Sequence, residues 1–512
     1  MTQLPVLSII TWAPFAAALV IMAAARHRPL LVRWTAVIGA AVPLALSLWL
    51  CVAYDRTAAG FQFGEALPLV RSFGISYELA IDGMGLVLVL LTAIILFAGV
   101  FASWTVKTRG QEFYALLLLL VTGVFGVFVS LDLFVFFLFY EIAVLPMYLL
   151  IGIWGSSGEV RPQGIFGWAF KRTGVGTKEY AAMKLTLYLL LGSAFILVGI
   201  LALYTAAGST SFSFLALQRV QFTPRMQSWV FLAFYVGFGV LAGIWPLHTW
   251  SPDGHASAPT AVSMLHAGVL MKLGAYGVVR LGLGLVPMGA IEWAWLVGAI
   301  ACINIVYGAL SAMAQSDLKY VVAYSSVSHM GIVMLGIATL TEQGLNGAVF
   351  QMVAHGIMTG LFFALVGLVY EKAHSRAIFT MGGFGRMMPG IATAFAIGGF
   401  SSLGLPATAG FVAEFLTFVG AWSSAHPWWL FPAVIGAFLT SIYVLRVVRQ
   451  IFWGTRSTDP HFQNLPDAQG TEWVALVILA GVLVLFGVVP WLIAAPIDTA
   501  TVPLLLRMGV TP

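Results

Sequence analysis

Fourteen apolar runs constrain this chain more than any other feature: 6–25, 33–54, 83–104, 112–130, 133–154, 181–205, 227–248, 257–281, 290–313, 320–340, 345–370, 389–422, 427–453 and 471–495. About 20 residues of helix cross the roughly 30 Å hydrocarbon layer of a bilayer. The run at 389–422 is too long for one crossing and contains "LGLPATAG" (403–410), so it reads as a broken helix. Of the 512 residues, 61% are hydrophobic and 8% charged, and the mean hydropathy is +0.98. A soluble core does not bury that much apolar surface, so the solvent is lipid. The connections are short. The sequence predicts an all-α polytopic membrane protein, residues 1–512 forming one membrane domain.

The same composition excludes other classes. A formal charge of +5, spread over loops rather than gathered in a patch, does not point to nucleic acid. Cys51 and Cys302 sit in apolar runs and suggest neither a disulfide framework nor a metal site. The first residues, "MTQLPVLSII", lack a basic n-region, so the first run is expected to be a retained helix. Following the loops in order, 16 of the 24 lysines and arginines fall on one side, Arg28, Arg33, Lys107, Arg109 and Lys319 among them. Six fall on the other: Arg56, Arg71, Arg219, Arg225, Arg280 and Arg507. Positive charge collects on the cytoplasmic side, which predicts both termini on the outer face.

The two remaining cations, Lys184 and Lys272, lie inside apolar runs, as do Glu141 and Glu414. Even on a lenient scale a charge at the bilayer centre costs about 2.5–3.5 kcal/mol, so a retained one lines an interior path or meets a partner. His266, His329 and His355 join them, and histidine changes charge near neutrality. An intramembrane histidine also serves as a plain interhelical contact, and a Glu–Lys pair can simply pin two helices. Seven ionisable groups on several helices of so uncharged a chain favour a polar path for protons. No two of them have metal-ligand spacing on one helix. Pro246 and Pro406 each free a backbone carbonyl in an apolar span. Broken helices in both halves of a chain are the signature of an inverted-repeat transporter; a proline at a helix end is the plainer reading of Pro246.

Five segments carry a resemblance: "FVSLDLFVFFLFYEIAVLPMYLLIGIWG" (128–155), "WPLHTWSPDGHASAPTAVSMLHAGVLMKLGAYGVVR" (245–280), "AQSDLKYVVAYSSVSHMGIVMLG" (314–336), "GAVFQMVAHGIMTGLFFALVGLVYEKAHSR" (347–376) and "LGLPATAGFVAEFLTFVG" (403–420). Together they resemble the antiporter-like subunits of respiratory complex I, most specifically the M-type subunit of NADH–quinone oxidoreductases. Mrp-type cation/proton antiporters and membrane-bound hydrogenases hold subunits of the same superfamily. The resemblance implies about fourteen helices, with inverted five-helix repeats at 112–281 (helices 4–8) and 290–453 (helices 9–13). Residues 1–111 would precede the repeats and the run at 471–495 follow them, with helices 7 and 12 broken. It implies a bacterial cytoplasmic membrane, a proton path driven by redox chemistry elsewhere, and L- and N-type neighbours with small membrane subunits. FMN, iron–sulfur clusters and quinone would belong to partner subunits, with no redox centre in this chain. By motif, Glu141, Lys184, Lys272, His329, His355 and Glu414 fall where the family places its proton path. His248, Asp253, His255 and His266 are candidate proton-uptake groups, solvated loop positions being the plainer reading for the first three.

Two departures stand out. The family carries a lysine five residues before the proline matching Pro246, paired with the acid matching Glu141; here that position is Leu241. Lys184 is then a candidate partner for Glu141, and a structural spacer with an incomplete proton path becomes an alternative reading. The second is the basic loop at 155–180, which reads either as a subunit-docking loop or as a tolerated insertion.

Overall fold

The structure is a computed structural model describing residues 4–24, 28–157 and 175–510. Most of the basic loop at 155–180 therefore lies outside the described residues. Twelve described helices are long and apolar enough to cross a membrane, or up to thirteen when a bent pair is taken as one span. In chain order the helices are α1 (Val6–Ala24), α2 (Pro29–Ala53), α3 (Gly83–Ala102), α4 (Gly110–Val129), α5 (Leu133–Trp154), α6 (Lys178–Ala206) and α7 (Pro224–Ala242). A short α8 (Trp250–Ser257) precedes α9 (Thr260–Leu283), α10 (Pro287–Ala314), α11 (Leu318–Ala338) and α12 (Glu342–Ala373). They are followed by α13 (Pro389–Ser402), α14 (Ala409–Ser423), α15 (Leu430–Val448), α16 (Glu472–Val488) and α17 (Trp491–Arg507).

Aspartates start several of these helices. The Asp82 carboxylate accepts from Gly85 N (2.9 Å), Asp132 from Phe134 N and Val135 N (2.9 and 3.0 Å), and Asp317 from Lys319 N (2.8 Å). Each satisfies donors that a first helical turn leaves unpaired. Small residues then let the helices approach. A Cβ at Gly123 would collide with the Ala143 backbone where α4 meets α5, and one at Gly347 with Thr417 where α12 meets α14. Between helices in lipid, such close packing replaces a hydrophobic drive. The spans of α3, α9, α11 and α12 are 94–100% buried, whereas those of α2 and α6 are 39% buried. The first four form the centre of the bundle and carry the buried Lys272, His329 and His355.

Two segments depart from the expected all-helical chain of short connections. Residues 62–81 form an antiparallel hairpin, β1 (Gln62–Val70) with β2 (Ile75–Ile81). In β2 the apolar residues alternate, a period of two that a search for long apolar runs passes over. Beyond the predicted run at 471–495, α16 stops at Val488, and α17 leaves at 69° and packs back against α3 and α12. Pro490 stands at that bend, where it has no N–H to continue the helix.

Candidate functional site

The runs bearing Pro246 and Pro406 are both interrupted within the bundle, whereas Pro14, Pro43 and Pro146 sit inside continuous helices. The first break begins at Gly243, three residues before the proline, in the left-handed region (φ +72°). Side chains answer the freed backbone there: the Trp250 indole donates to Val240 O (2.9 Å), and Trp245 N–H donates to the buried Asn304 Oδ1 (2.8 Å). Irregular backbone at this depth survives only when it is so satisfied or lines a cavity. The second break, 403–408, separates α13 from α14. Gly404 (φ +69°) lies so close to the acid of α14 that a Cβ there would sit 2.7 Å from Glu414 Oε2.

Between the breaks runs a line of buried polar side chains. Lys184 Nζ on α6 donates to Asp253 Oδ2 on α8 (2.8 Å), and the Tyr320 hydroxyl donates to Oδ1 of the same carboxylate (3.1 Å). The rings of His255 and His266 meet edge to face at 4.3 Å, both fully buried. Lys272 lies between two π-helical stretches of α9, His266–Leu270 and Val278–Leu283. Such bulges shift a helix register locally and are frequent at functional sites. Its Nζ donates to the Ala267 carbonyl and lies 2.7 Å from His355 Nδ1 on α12. The His355 and His329 rings are 5.3 Å apart. His329 Nδ1 approaches Gln351 Nε2 (3.2 Å) and Glu414 Oε1 (3.6 Å), and its Nε2 faces Ser402 Oγ (3.2 Å). Lys272, His355, His329 and Glu414 are each at most 4% exposed.

The family described as "NADH:quinone oxidoreductase/Mrp antiporter, TM" matches residues 170–440. NADH-quinone oxidoreductase subunit M of Rhodobacter capsulatus is 36% identical over 504 residues, covering 95% of this chain and 94% of the relative. The chain belongs to this family. NAD(P)H-quinone oxidoreductase chain 4 3 of Picosynechococcus is 40% identical, covering 84% of this chain and 76% of the relative. Among solved structures, a chain of respiratory complex I from Thermus thermophilus with bound NADH superposes with a TM-score of 0.86 at 26% identity, covering 98% of this chain and 99% of that one. A chain of the Mrp complex from Dietzia shares the fold, with a TM-score of 0.82 at 20% identity and 98% coverage of both chains.

Within this family fold, the positions singled out in the sequence separate into groups. Lys272, His329, His355 and Glu414 form one contiguous cluster. Lys184 does not meet Glu141: its partner is Asp253, because the first break carries α8 over α6. Glu141 on α5 has the Ser193 hydroxyl of α6 within hydrogen-bonding reach, and no lysine or arginine pairs with it among the described residues. Leu241 is fully buried near the C-terminal end of α7. His248 and His255 are not solvated loop groups; they are 3% and 0% exposed. Neither ring nitrogen of His266, nor His355 Nε2, has a protein partner among the described residues.

The sequence reading missed two buried cations by counting them in loops. Lys319, only 5% exposed, turns inward and donates to Ala258 O (2.7 Å). It lines a cavity of about 260 Å³ together with Ser156, Thr260, Glu371 and Glu472. Its place two residues after a capping aspartate, in "SDLKY", marked a helix start without showing which way the amine would point. Arg280, 8% exposed, lies inside α9 and pairs with Asp82 (2.6 Å), its guanidinium 4.9 Å from the Phe61 ring centre. Gln351 and Ser402 also complete the site, and polar residues of their type stand throughout such helices without signalling a partner.

Proposed function

We propose that this chain is an M-type, proton-translocating membrane-arm subunit of a respiratory NADH–quinone oxidoreductase, with quinone reduction elsewhere in the complex driving the pump. The observation that carries this reading is the contiguous buried series Lys272–His355–His329–Glu414, joined by contacts of 2.7 Å, 5.3 Å between rings, and 3.6 Å. Each member exchanges a proton, and a buried chain of such groups has a direction only if its charges switch in sequence. Lys272 is the central switch in this reading and Glu414 the exit. Buried nitrogens without protein partners, on His266 and His355, are normally met by ordered water, which would bridge the wider gaps.

Uptake is assigned to the cavity at Lys319 and to Lys184–Asp253, with His248, His255 and His266 leading to Lys272 and Glu141 acting near the Lys184 side. Inverted repeats at 112–281 and 290–453 would place the two breaks symmetrically about this line. Both termini would face outward across a bacterial cytoplasmic membrane, beside L- and N-type subunits and small membrane subunits, with FMN, iron–sulfur clusters and quinone held by partners. The test is the intact complex in liposomes carrying Lys272→Ala or Glu414→Gln. Proton uptake per electron pair is expected to fall; unchanged pumping with unchanged electron transfer would reject the assignment.

A second reading is favoured by one observation, Leu241 buried at the family's lysine position with Glu141 unpaired among the described residues. In it the subunit is a spacer whose path is incomplete. It holds only if Glu141→Gln and Lys272→Ala both leave the stoichiometry unchanged.

A further inference from the structure

At one edge of the bundle, away from the polar line, two unlike depressions adjoin. The first, about 290 Å³, lies between the starts of α2 and α4 and is lined by Arg28, Arg33, Lys107 and Arg109, with Glu112 the one acid among its lining residues. The second, about 410 Å³, lies among α1, α4 and α5 and is almost wholly apolar, Leu19, Met22 and Leu149 standing exposed along it. Arg109 and Glu112 border both. They pair at 3.3 Å and so form the sill between the two spaces.

The basic depression is built for an anion in more than side-chain charge. Pro29 and Gly110, the first residues of α2 and α4, both line it, so two helix N-termini converge there. Neither N-cap position, Arg28 or Arg109, supplies a side-chain acceptor to its helix. Unpaired first-turn N–H groups and the positive helix end attract a phosphate. Its four cations stand on the loop side where the sequence concentrates lysine and arginine, the level at which a bilayer presents its headgroups. A small soluble anion would use the first depression and leave the second bare. An acyl chain matches the second in chemistry.

We propose that an anionic phospholipid binds at this edge, its phosphate among Arg28, Arg33, Lys107 and Arg109 and one acyl chain in the groove beside Leu19 and Leu149. The test is native mass spectrometry of the full chain extracted from vesicles of phosphatidylglycerol or of phosphatidylcholine. The expected result is one retained phosphatidylglycerol per chain and no comparable retention of phosphatidylcholine. Arg28→Glu with Lys107→Glu reverses two exposed charges that make no hydrogen bond or ion pair among the described residues, and lowers retention at least tenfold. Leu19→Trp fills the groove without removing a cation and lowers it as well. Equal retention of both lipids, unchanged retention in either variant, or displacement of the lipid by millimolar inorganic phosphate would each overturn the proposal.

Discussion

His355→Phe isolates the step on which the proposed path depends most. The substitution keeps an aromatic ring of similar size in a buried position, so the α12 core changes little in volume. It removes the Nδ1 atom that lies 2.7 Å from Lys272 Nζ. The amine retains the Ala267 carbonyl. Losing a charge-assisted hydrogen bond costs about 1.5–3 kcal/mol, roughly a 10- to 150-fold change in the equilibrium that the contact biases. The kinetic effect is larger, because a correctly placed proton donor or acceptor contributes about 10²- to 10⁴-fold to transfer. The phenyl ring also occupies the space through which water would bridge Lys272 to His329. Proton transfer through this segment should therefore fall at least about 100-fold. The assay is the intact complex in liposomes, reading internal pH dye and quinone reduction together. His355→Ala should lose the same step but open a space, so that added imidazole restores part of the flux. If His355→Phe pumps like the wild type at equal turnover, the Lys272–His355 contact is packing and the proposed order of transfer is wrong.

Three further outcomes follow from particular contacts. Leu241→Lys places a cation at a fully buried site, costing about 2.5–3.5 kcal/mol unless an acid answers it. The variant should melt higher with Glu141 present than in a Glu141→Gln background, and equal melting would mean that the two positions do not communicate. Asp253→Asn keeps an acceptor for Tyr320 but loses the charge facing Lys184; these side chains are 25% and 18% exposed, so the stability loss should fall between about 1 kcal/mol, as for an exposed pair, and about 3–5 kcal/mol, as for a buried one. Proton flux should nonetheless drop, and undiminished flux would remove Asp253 from the path. Arg280→Met strands the Asp82 carboxylate, 6% exposed, and should cost about 3–5 kcal/mol by thermal unfolding in detergent. Adding Asp82→Asn, which preserves the α3 cap, should recover more than half; no recovery would show that Arg280 acts through its aromatic contacts instead.

Span positions were legible because lipid imposes one length and one polarity on every crossing, whatever the neighbours. Interruptions near Pro246 and Pro406 were legible because a glycine stands within three residues of each proline, whereas proline alone does not break the spans at Pro14 and Pro43. Lys272, Glu141 and Glu414 were legible because a charge in an apolar run is costly wherever its helix goes. Partnership was not. Lys184 faces Asp253 rather than Glu141 because α8 folds back over α6, a turn set at Gly243 by backbone conformation and by the distant side chain of Asn304. Lys319 and Arg280 stand close to span ends, where a long side chain can reach water or turn inward with equal economy. Helix packing alone turned them to Ala258 and Asp82. The sequence by itself determined that Lys184, Lys272, Glu141 and Glu414, set in apolar runs, must be sheltered from lipid. Only the tertiary structure decided which of them touch, since contacts at 3 Å depend on the rotation and depth of every helix, and apolar periodicity fixes neither.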